Sequence, residues 1–214
     1  MRINELELHK YFWRDSGDPF MKIKLWLTGI ALAIAYSGAM AVEGNYIYAA
    51  VDYGKARVSN FCTGIPDGVT CQNTNPGNRV SVGYQAISAV GKEGIGMEAS
   101  YVKAGQGSFS GLGVSADTTN TEWQLALTGT LPLDDNFIVL SKAGLAFWNL
   151  NTTSSPAVAG LSPKGTDFLW GLGAQVDLGK TIALRCMYDS HLIGNSVTGR
   201  GTLATLTLGA LLRF

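Results

Sequence analysis

Charge, cysteine and histidine are scarce in this chain, and long apolar runs are absent from most of it. Its 214 residues include 16 Lys and Arg against 16 Asp and Glu, so no excess of positive charge is available for a nucleic-acid partner. No further cysteine or histidine lies near Cys62 and Cys71 to complete a zinc site, and no GxGxxG or P-loop motif predicts a nucleotide site. No segment after Ala41 has the roughly 20 apolar residues of a membrane-spanning helix. We therefore expect no cofactor and no nucleic-acid partner.

The first 41 residues include the pattern of an export signal. A basic start (Met21–Lys24), an apolar run of about 12 residues and a small-residue cleavage site (Ala39–Ala41) follow one another, which is the layout of a secretory signal peptide. We expect residues 21–41 to be removed on export. Residues 1–20 are interpreted as an extension that results from a start codon assigned too early, with a structural amphipathic segment as the alternative. Residues 42–214 then form one domain.

The rest of the chain divides into segments in which apolar and polar residues alternate, as they do along half-buried β-strands. Eight such segments are predicted, with about 9–14 residues each, against the roughly 9–11 that a tilted strand needs to cross a bilayer. They are Tyr46–Lys55, Arg79–Ile87, Gly94–Lys103, Thr121–Leu131, Phe137–Trp148, Asp167–Leu178, Thr181–Asp189 and Gly201–Phe214. The connections alternate between long and short, which is typical of an outer-membrane β-barrel with long outer loops and tight periplasmic turns.

The closing segment and the aromatic residues predict which face of these strands meets lipid. Every second residue from Ala204 to Phe214 is apolar, and Phe214 ends the chain. Six aromatic residues on different strands fall near the loop-side rim and predict an interfacial girdle: Tyr53, Tyr101, Trp123, Phe147, Trp170 and Tyr188. A soluble barrel of the lipocalin type has no reason to build such a girdle, so we interpret the strands as membrane-spanning.

Four short motifs precede the closing Phe214: Gly96-Met-Glu-Ala-Ser-Tyr101, Ser141-Lys-Ala-Gly-Leu-Ala146, Gly171-Leu-Gly-Ala-Gln-Val-Asp177 and Leu184-Arg-Cys-Met-Tyr-Asp189. In that order they resemble the small outer-membrane β-barrel proteins of the OmpA-barrel and OmpX type. The resemblance implies an all-β, eight-stranded antiparallel up-and-down transmembrane β-barrel in a Gram-negative outer membrane. It also implies a monomer without enzymatic activity, in a structural or surface-interaction role such as adhesion or resistance to host factors. The expected partners are outer-membrane lipid, the barrel-assembly machinery that reads Phe214, and a host or surface ligand at the loops.

Six ionisable residues are predicted to face the barrel interior: Asp52, Glu98, Glu122, Lys142, Arg185 and Asp189. An eight-stranded barrel is just wide enough for side chains to fill, so charges buried there must pair. An internal salt-bridge plug is one interpretation, and a proton or ion path, hence a small-solute channel, is the other. The partner of Glu98 is either Lys142 or Arg185, and we name Lys142 first because its strand is two away in barrel order. Glycines on the same faces leave room for these side chains: Gly83, Gly96, Gly144, Gly171, Gly173 and Gly209.

The cysteines and the histidine of the exported part have local interpretations. Cys62 and Cys71 lie in a turn-rich segment and, in an exported chain, predict a loop disulfide. Cys186 has no partner and is predicted to face lipid as a small apolar group. His191 is placed at the loop-side rim, where lipid A deacylases of the PagL type carry a catalytic histidine. Their His-x-Ser-Asn run is missing and Ser190 would point to the opposite face, so we interpret His191 as a solvated loop residue and keep the enzyme as an alternative.

Overall fold

A computed structural model describes residues 45–63, 67–87, 93–111, 113–155, 162–195 and 199–214. The regular elements in these ranges are β-strands. No helix among the described residues is long and apolar enough to cross a membrane. The predicted signal peptide and the extension before it lie outside the described residues.

The strands form one closed barrel. They are β1 (Asn45–Val58), β2 (Thr70–Gln72), β3 (Thr74–Ile87), β4 (Gly94–Gly111), β5 (Val114–Pro132), β6 (Phe137–Ser155), β7 (Lys164–Asp177), β8 (Ile182–Asn195) and β9 (Gly199–Arg213). The order around the ring is β4-β3-β1-β9-β8-β7-β6-β5, and a β4–β5 ladder closes it. The short β2 pairs only with β4, outside the ring. The predicted eight-stranded antiparallel up-and-down barrel is confirmed.

Side chains alternate between the lumen and the outer surface, because successive residues of a strand point to opposite faces. In β5, for example, Leu125 and Leu127 are 55% and 61% exposed, whereas Gln124 and Ala126 are 3% and 4% exposed. The polar residues lie inside and the apolar residues lie outside, which is the reverse of a soluble barrel. Such an outer face is stable only where lipid replaces water.

Strands β4, β5 and β6 extend far beyond their predicted limits. They have 18, 19 and 19 residues, so the segment 104–120, predicted to be a long loop, is mostly a β-hairpin. The other predicted loops, Ala56–Asn78, Asn149–Thr166 and Ser190–Arg200, are shortened in the same way. The prediction ended too early because these extensions lack the lipid-facing apolar alternation. They are rich in Ser and Thr, and β-branched Thr still favours strands.

The two rims of the barrel differ. We call the rim with the β4–β5, β6–β7 and β8–β9 connections the loop end, and the opposite rim the turn end. At the turn end, the β5–β6 connection is held by Asp134, whose carboxylate accepts hydrogen bonds from the backbone N–H groups of Asn136 (2.8 Å) and Phe137 (2.6 Å). In outer-membrane barrels the short turns face the periplasm and the longer loops face the exterior.

Candidate functional site

The middle of the lumen holds a cluster of six buried charges. Three are acidic and three are basic, and all are at most 5% exposed: Asp52, Arg79, Glu98, Lys142, Arg185 and Asp189. They come from five different strands, and each occupies an inward position of the two-residue alternation. The numbers of positive and negative charges are equal, so the cluster is formally neutral although it is removed from water. We call these six residues the lumen cluster.

Arg185 of β8 lies at the centre of the lumen cluster. Its guanidinium donates to both carboxylate oxygens of Asp52 at 2.8 and 2.6 Å, and to Glu98 Oε2 at 2.7 Å. The hydroxyl of Ser81 accepts a further hydrogen bond at 2.6 Å. One planar group therefore joins β8 to three other strands, and charge-assisted hydrogen bonds of this kind are the strong ones.

Arg79 of β3 is the cluster member that the sequence analysis did not include. Its Nε donates to Asp52 Oδ2 at 2.8 Å, and its terminal nitrogens donate to Asp189 and, at 3.1 Å, to the hydroxyl of Thr207. Arg79 and Asp52 are directly opposite each other in the β1–β3 ladder. The sequence could have predicted this inward position, because Arg79 lies on the polar face of its predicted strand.

Lys142 of β6 is the remaining cation of the lumen cluster, and its distance from Glu98 can be compared with that of Arg185. Its Nζ donates to Gln124 Oε1 at 2.9 Å and lies 3.3 Å from Asp189 Oδ1 and 3.5 Å from Glu98 Oε1. Glu98 is therefore bound more closely by Arg185 than by Lys142. Both alternatives of the sequence analysis lie within ion-pair distance of Glu98, and Arg185 is the nearer of the two.

Neutral groups donate further hydrogen bonds to the two carboxylate oxygens of Glu98. The hydroxyl of Tyr48 donates to Oε2 at 3.0 Å, and that of Ser100 donates to Oε1 at 2.9 Å. A carboxylate that is removed from water needs such partners on each oxygen. The site is built as a hydrogen-bonded network and not as isolated ion pairs.

His191 and Glu122 form a second buried pair on the loop side of the lumen cluster. Glu122 accepts hydrogen bonds from the amides of Asn120 (2.7 Å) and Gln124 (2.6 Å). His191 Nε2 lies 2.9 Å from Glu122 Oε2, although the ring is not aligned for a hydrogen bond. His191 is 4% exposed, so the interpretation of a solvated loop residue was wrong. The error has a structural cause: β8 continues to Asn195 instead of ending at Asp189, and its alternation carries His191 into the lumen.

Two glycines create the room that the lumen cluster needs. A Cβ atom at Gly209 would collide with the Asp52 carboxylate and with the backbone of β1. A Cβ atom at Gly171 would collide with the Asp189 carboxylate and approach the Lys142 side chain. In these two places the lumen is too narrow for a side chain on both strands.

An apolar cluster lies above the charged part, toward the loop end. It contains Ala56, Val58, Val102, Ala104, Trp148, Leu150, Ile193 and Leu203, with Phe61 packed against it. The Trp148 indole donates to Asp167 at 2.8 Å, which satisfies its one polar group. Two cavities that touch the lumen cluster have volumes of about 30 and 10 Å³, against the roughly 10–15 Å³ that one water occupies. Side chains therefore fill the lumen at the level of the lumen cluster.

The disulfide predicted between Cys62 and Cys71 is confirmed. It joins the turn that follows β1 to β2, whose Cys71 lies opposite Phe109 of β4. The neighbouring Phe61 packs against the apolar cluster. The first loop is therefore attached to the loop end by a covalent bond, a short ladder and an aromatic contact.

The outer surface carries the six aromatic residues predicted as a girdle. All six are 39–67% exposed and face outward. The rings of Tyr101 and Trp123 are 5.1 Å apart, and those of Trp170 and Tyr188 are 5.7 Å apart. Cys186 is also exposed on this face. Among the described residues, no group of three His, Cys, Asp or Glu side chains is arranged to hold a metal ion.

The family model of the OmpA-like transmembrane domain matches residues 42–214. The chain belongs to this family. It is accordingly an integral outer-membrane protein, and its polar lumen and apolar outer face are what such a location requires. No curated protein is significantly similar to the chain.

Solved structures of surface proteins have the same OmpA-like barrel fold. The attachment invasion locus protein Ail of Yersinia pestis superposes with a TM-score of 0.54 at 16% identity, over 81% of this chain and all of Ail. Neisserial surface protein A superposes with a TM-score of 0.58 at 15% identity, over 80% of this chain and all of that protein. Ail has also been solved in complex with the heparin analogue sucrose octasulfate; that structure superposes with a TM-score of 0.53 at 14% identity, over 81% of this chain and all of Ail. At these identities the likeness establishes the fold.

Proposed function

We propose that this protein is a closed, non-enzymatic barrel that acts as a structural and surface-contact protein of the outer membrane. The observation that carries the proposal is the filled lumen, in which the lumen cluster and the apolar cluster follow each other along the axis. An ion that crosses the lumen has to separate charges that are paired away from water. Breaking one such buried pair typically costs about 3–5 kcal/mol.

Planar-bilayer recording of the purified full-length protein tests the closed lumen. We expect no steady conductance from the wild type. The double variant Arg185→Ser/Glu98→Ser should conduct, because it removes a bound cation and a bound anion together and leaves a polar gap. A steady, ohmic open level in the wild type would reject the plug and support the small-solute channel.

The position of His191 supports the non-enzymatic part of the proposal. A deacylase needs a histidine that can reach both a serine and a lipid ester. His191 instead faces Glu122 inside the lumen, and its neighbour Ser190 lies on the opposite side of the strand. Lipid A from cells that express the protein should keep all its acyl chains. A loss of acyl chains that His191→Ala abolishes would establish the enzyme instead.

The structured loop end supports a role in surface contact. The long β4–β5 and β5–β6 ladders, the disulfide and the Phe61 contact make a fixed outer surface. Whole-cell binding of candidate host proteins and polysaccharides, compared with cells lacking the protein, tests this role. Equal binding to both cell types across the panel would remove surface contact from the proposal.

Export and assembly complete the proposal. We propose that residues 21–41 are removed before the barrel folds, and amino-terminal sequencing of the outer-membrane form should begin at Val42. We further propose a monomer, and a recognition role for Phe214 in assembly. Its backbone N–H donates to Ile47 O at 2.9 Å, which attaches the end of the chain to β1. Sedimentation in detergent should give the mass of one chain.

A further inference from the structure

The first loop bridges two distant strands at the loop end. At its start, the backbone N–H of Ser59 donates to Thr202 O at 2.9 Å, and the Ser59 hydroxyl accepts from the backbone N–H of Thr202 at 2.8 Å, which fixes it to β9. Cys62 is bonded to β2, which pairs with β4. Strands β9 and β4 are three places apart in the ring. Residues 59–63, which we call the lid, therefore cross part of the opening at the loop end.

Phe61 is the residue of the lid that contacts the interior. Its ring packs against the apolar cluster, and it also lies on Gly107 of β4. A Cβ atom at position 107 would collide with three carbons of the ring. The β4–β5 register shifts at Gly107. An irregular strand and a missing side chain together make the place that this ring occupies.

The disulfide is the covalent part of the attachment that holds Phe61 on Gly107. The two hydrogen bonds of Ser59 fix only the start of the lid. Beyond Phe61, the Cys62–Cys71 bond joins the lid to β2, whose ladder with β4 has three residue pairs. Once that bond is cut, the ladder holds Cys71 but no longer holds the lid. Both cysteines are only partly buried, and they lie at the loop end, where soluble thiols reach them.

We propose that the lid is a redox switch that uncovers the apolar cluster at the cell surface. A thiolate of a dithiol outside the cell attacks one sulfur of the disulfide and forms a mixed disulfide, and the second thiol of the same reductant then breaks that bond. The protein gains two electrons and two protons as two thiols, and the reductant leaves as a disulfide. Phe61 is then free to leave Gly107, and the uncovered apolar surface becomes a contact site for apolar groups of another molecule.

The switch acts at the loop end and leaves the lumen closed. The hydrogen bonds of Arg79 and Arg185 in the lumen cluster go to residues of β1, β3, β4, β8 and β9, and not to the lid. The apolar cluster lies between these residues and the lid. Reduction therefore changes what the loop end presents to its surroundings, while the closed lumen of the proposed function is retained.

Acrylamide quenching of Trp148, a 3% exposed member of the apolar cluster, tests the proposal. The purified protein, with Trp148 as its only tryptophan and with Cys186→Ser, is folded into phospholipid vesicles, and dithiothreitol is the reductant. Cutting a closure with a sequence separation of 9 should raise the open fraction roughly 30- to 100-fold. We expect little quenching in the oxidised protein and a quenching constant at least about threefold higher after reduction. Reoxidation with oxidised glutathione should restore the first value.

Variants separate the ring and its position from the disulfide. Phe61→Ala and Gly107→Ala should each expose Trp148 in the oxidised state, because the first removes the ring and the second displaces it. Gly179→Ala, where nothing lies within 4 Å of the added atom, is the matched control and should be quenched like the unmodified protein. Heat-modifiable migration should show that each variant is folded. Reduction of the already folded protein keeps the test valid if a variant does not fold.

Three outcomes would overturn the proposal. Trp148 that stays shielded after reduction would show that the disulfide does not hold the lid. An oxidised Phe61→Ala variant that is as shielded as the unmodified protein would show that the ring is not the seal. Cys62→Ser/Cys71→Ser should be quenched strongly and equally with and without dithiothreitol, and a response to the reductant would show that it acts elsewhere. A conducting wild type would reject the closed lumen without affecting these results.

Discussion

Replacing Arg185 by methionine should destabilise the barrel strongly, because Arg185 is the central cation of the lumen cluster. It is 3% exposed and holds two carboxylates through three hydrogen bonds of 2.6–2.8 Å. Its removal leaves three acidic groups with two basic groups in the lumen cluster. Asp52 retains Arg79 at 2.8 Å, but Glu98 retains only Lys142 at 3.5 Å and two hydroxyl groups. The expected loss is about 3–5 kcal/mol of unfolding free energy.

A second replacement separates the charge effect from lost packing. Glu98→Gln in the Arg185→Met background removes the carboxylate that lost its cation, while Gln keeps the shape and can still bond to Tyr48 and Ser100. We expect the double variant to lose less than the sum of the two single variants, by at least about 1 kcal/mol. Lys180→Met changes an exposed lysine at the turn end and should stay within about 0.5 kcal/mol of the wild type.

Urea unfolding of the protein in phospholipid vesicles, followed by tryptophan fluorescence, measures these differences. The reasoning requires a large loss for Arg185→Met and a partial recovery in the double variant. A loss below about 1 kcal/mol for Arg185→Met would refute it, since Asp52 and Glu98 would then be stable without this cation. Strict additivity of the two replacements would show that Arg185 and Glu98 do not interact.

Three further changes test other parts of the structure. Gly209→Ala should destabilise the barrel by about 1–3 kcal/mol in the same urea assay, because its Cβ meets the backbone of β1 and the Asp52 carboxylate. Gly179→Ala, where nothing lies within 4 Å of the added atom, should be nearly neutral, and equal effects would contradict the narrow lumen. Cys62→Ser/Cys71→Ser should remove roughly 2–3 kcal/mol of local order and speed proteolysis of the first loop in intact cells, with the heat-modifiable barrel retained; unchanged proteolysis would mean that the disulfide does not order the loop. Deletion of Phe214 should lower the folded yield in the outer membrane while the signal peptide is still removed, and an unchanged yield would rule out its role in assembly.

The faces of the strands were predictable because alternation with a period of two is a local property. The lipid-facing leucines of β5 and the inward position of Glu98 follow from counting along one strand. The same counting would have placed His191 in the lumen, since the inward positions of β8 continue through Asp189 to Ile193. The prediction failed there because it ended the strand where the lipid-facing residues end.

The pairing of the lumen charges could not be read from the sequence. Which residues meet across the lumen depends on the stagger between strands around the whole ring, and a shift of one residue would reverse every side chain. Arg79 lies opposite Asp52 only in the observed β1–β3 register, and a long disulfide-bearing connection separates the two strands. Lys142 reaches Asp189 through the lumen from a strand that is not adjacent in the ring.

The central claim, a barrel with a polar filled lumen and an outer face in lipid, is tested most directly by its own tryptophans. Trp123 is 63% exposed on the outer face, Trp170 is 43% exposed there, and Trp148 is 3% exposed in the lumen. Variants that retain one of these tryptophans, with every other tryptophan replaced by phenylalanine, can be folded into vesicles of brominated phospholipid. We predict strong quenching of Trp123 and Trp170 and little quenching of Trp148. Equal quenching of all three, or quenching of Trp148 alone, would contradict the assignment of the two faces and the membrane-spanning barrel with it.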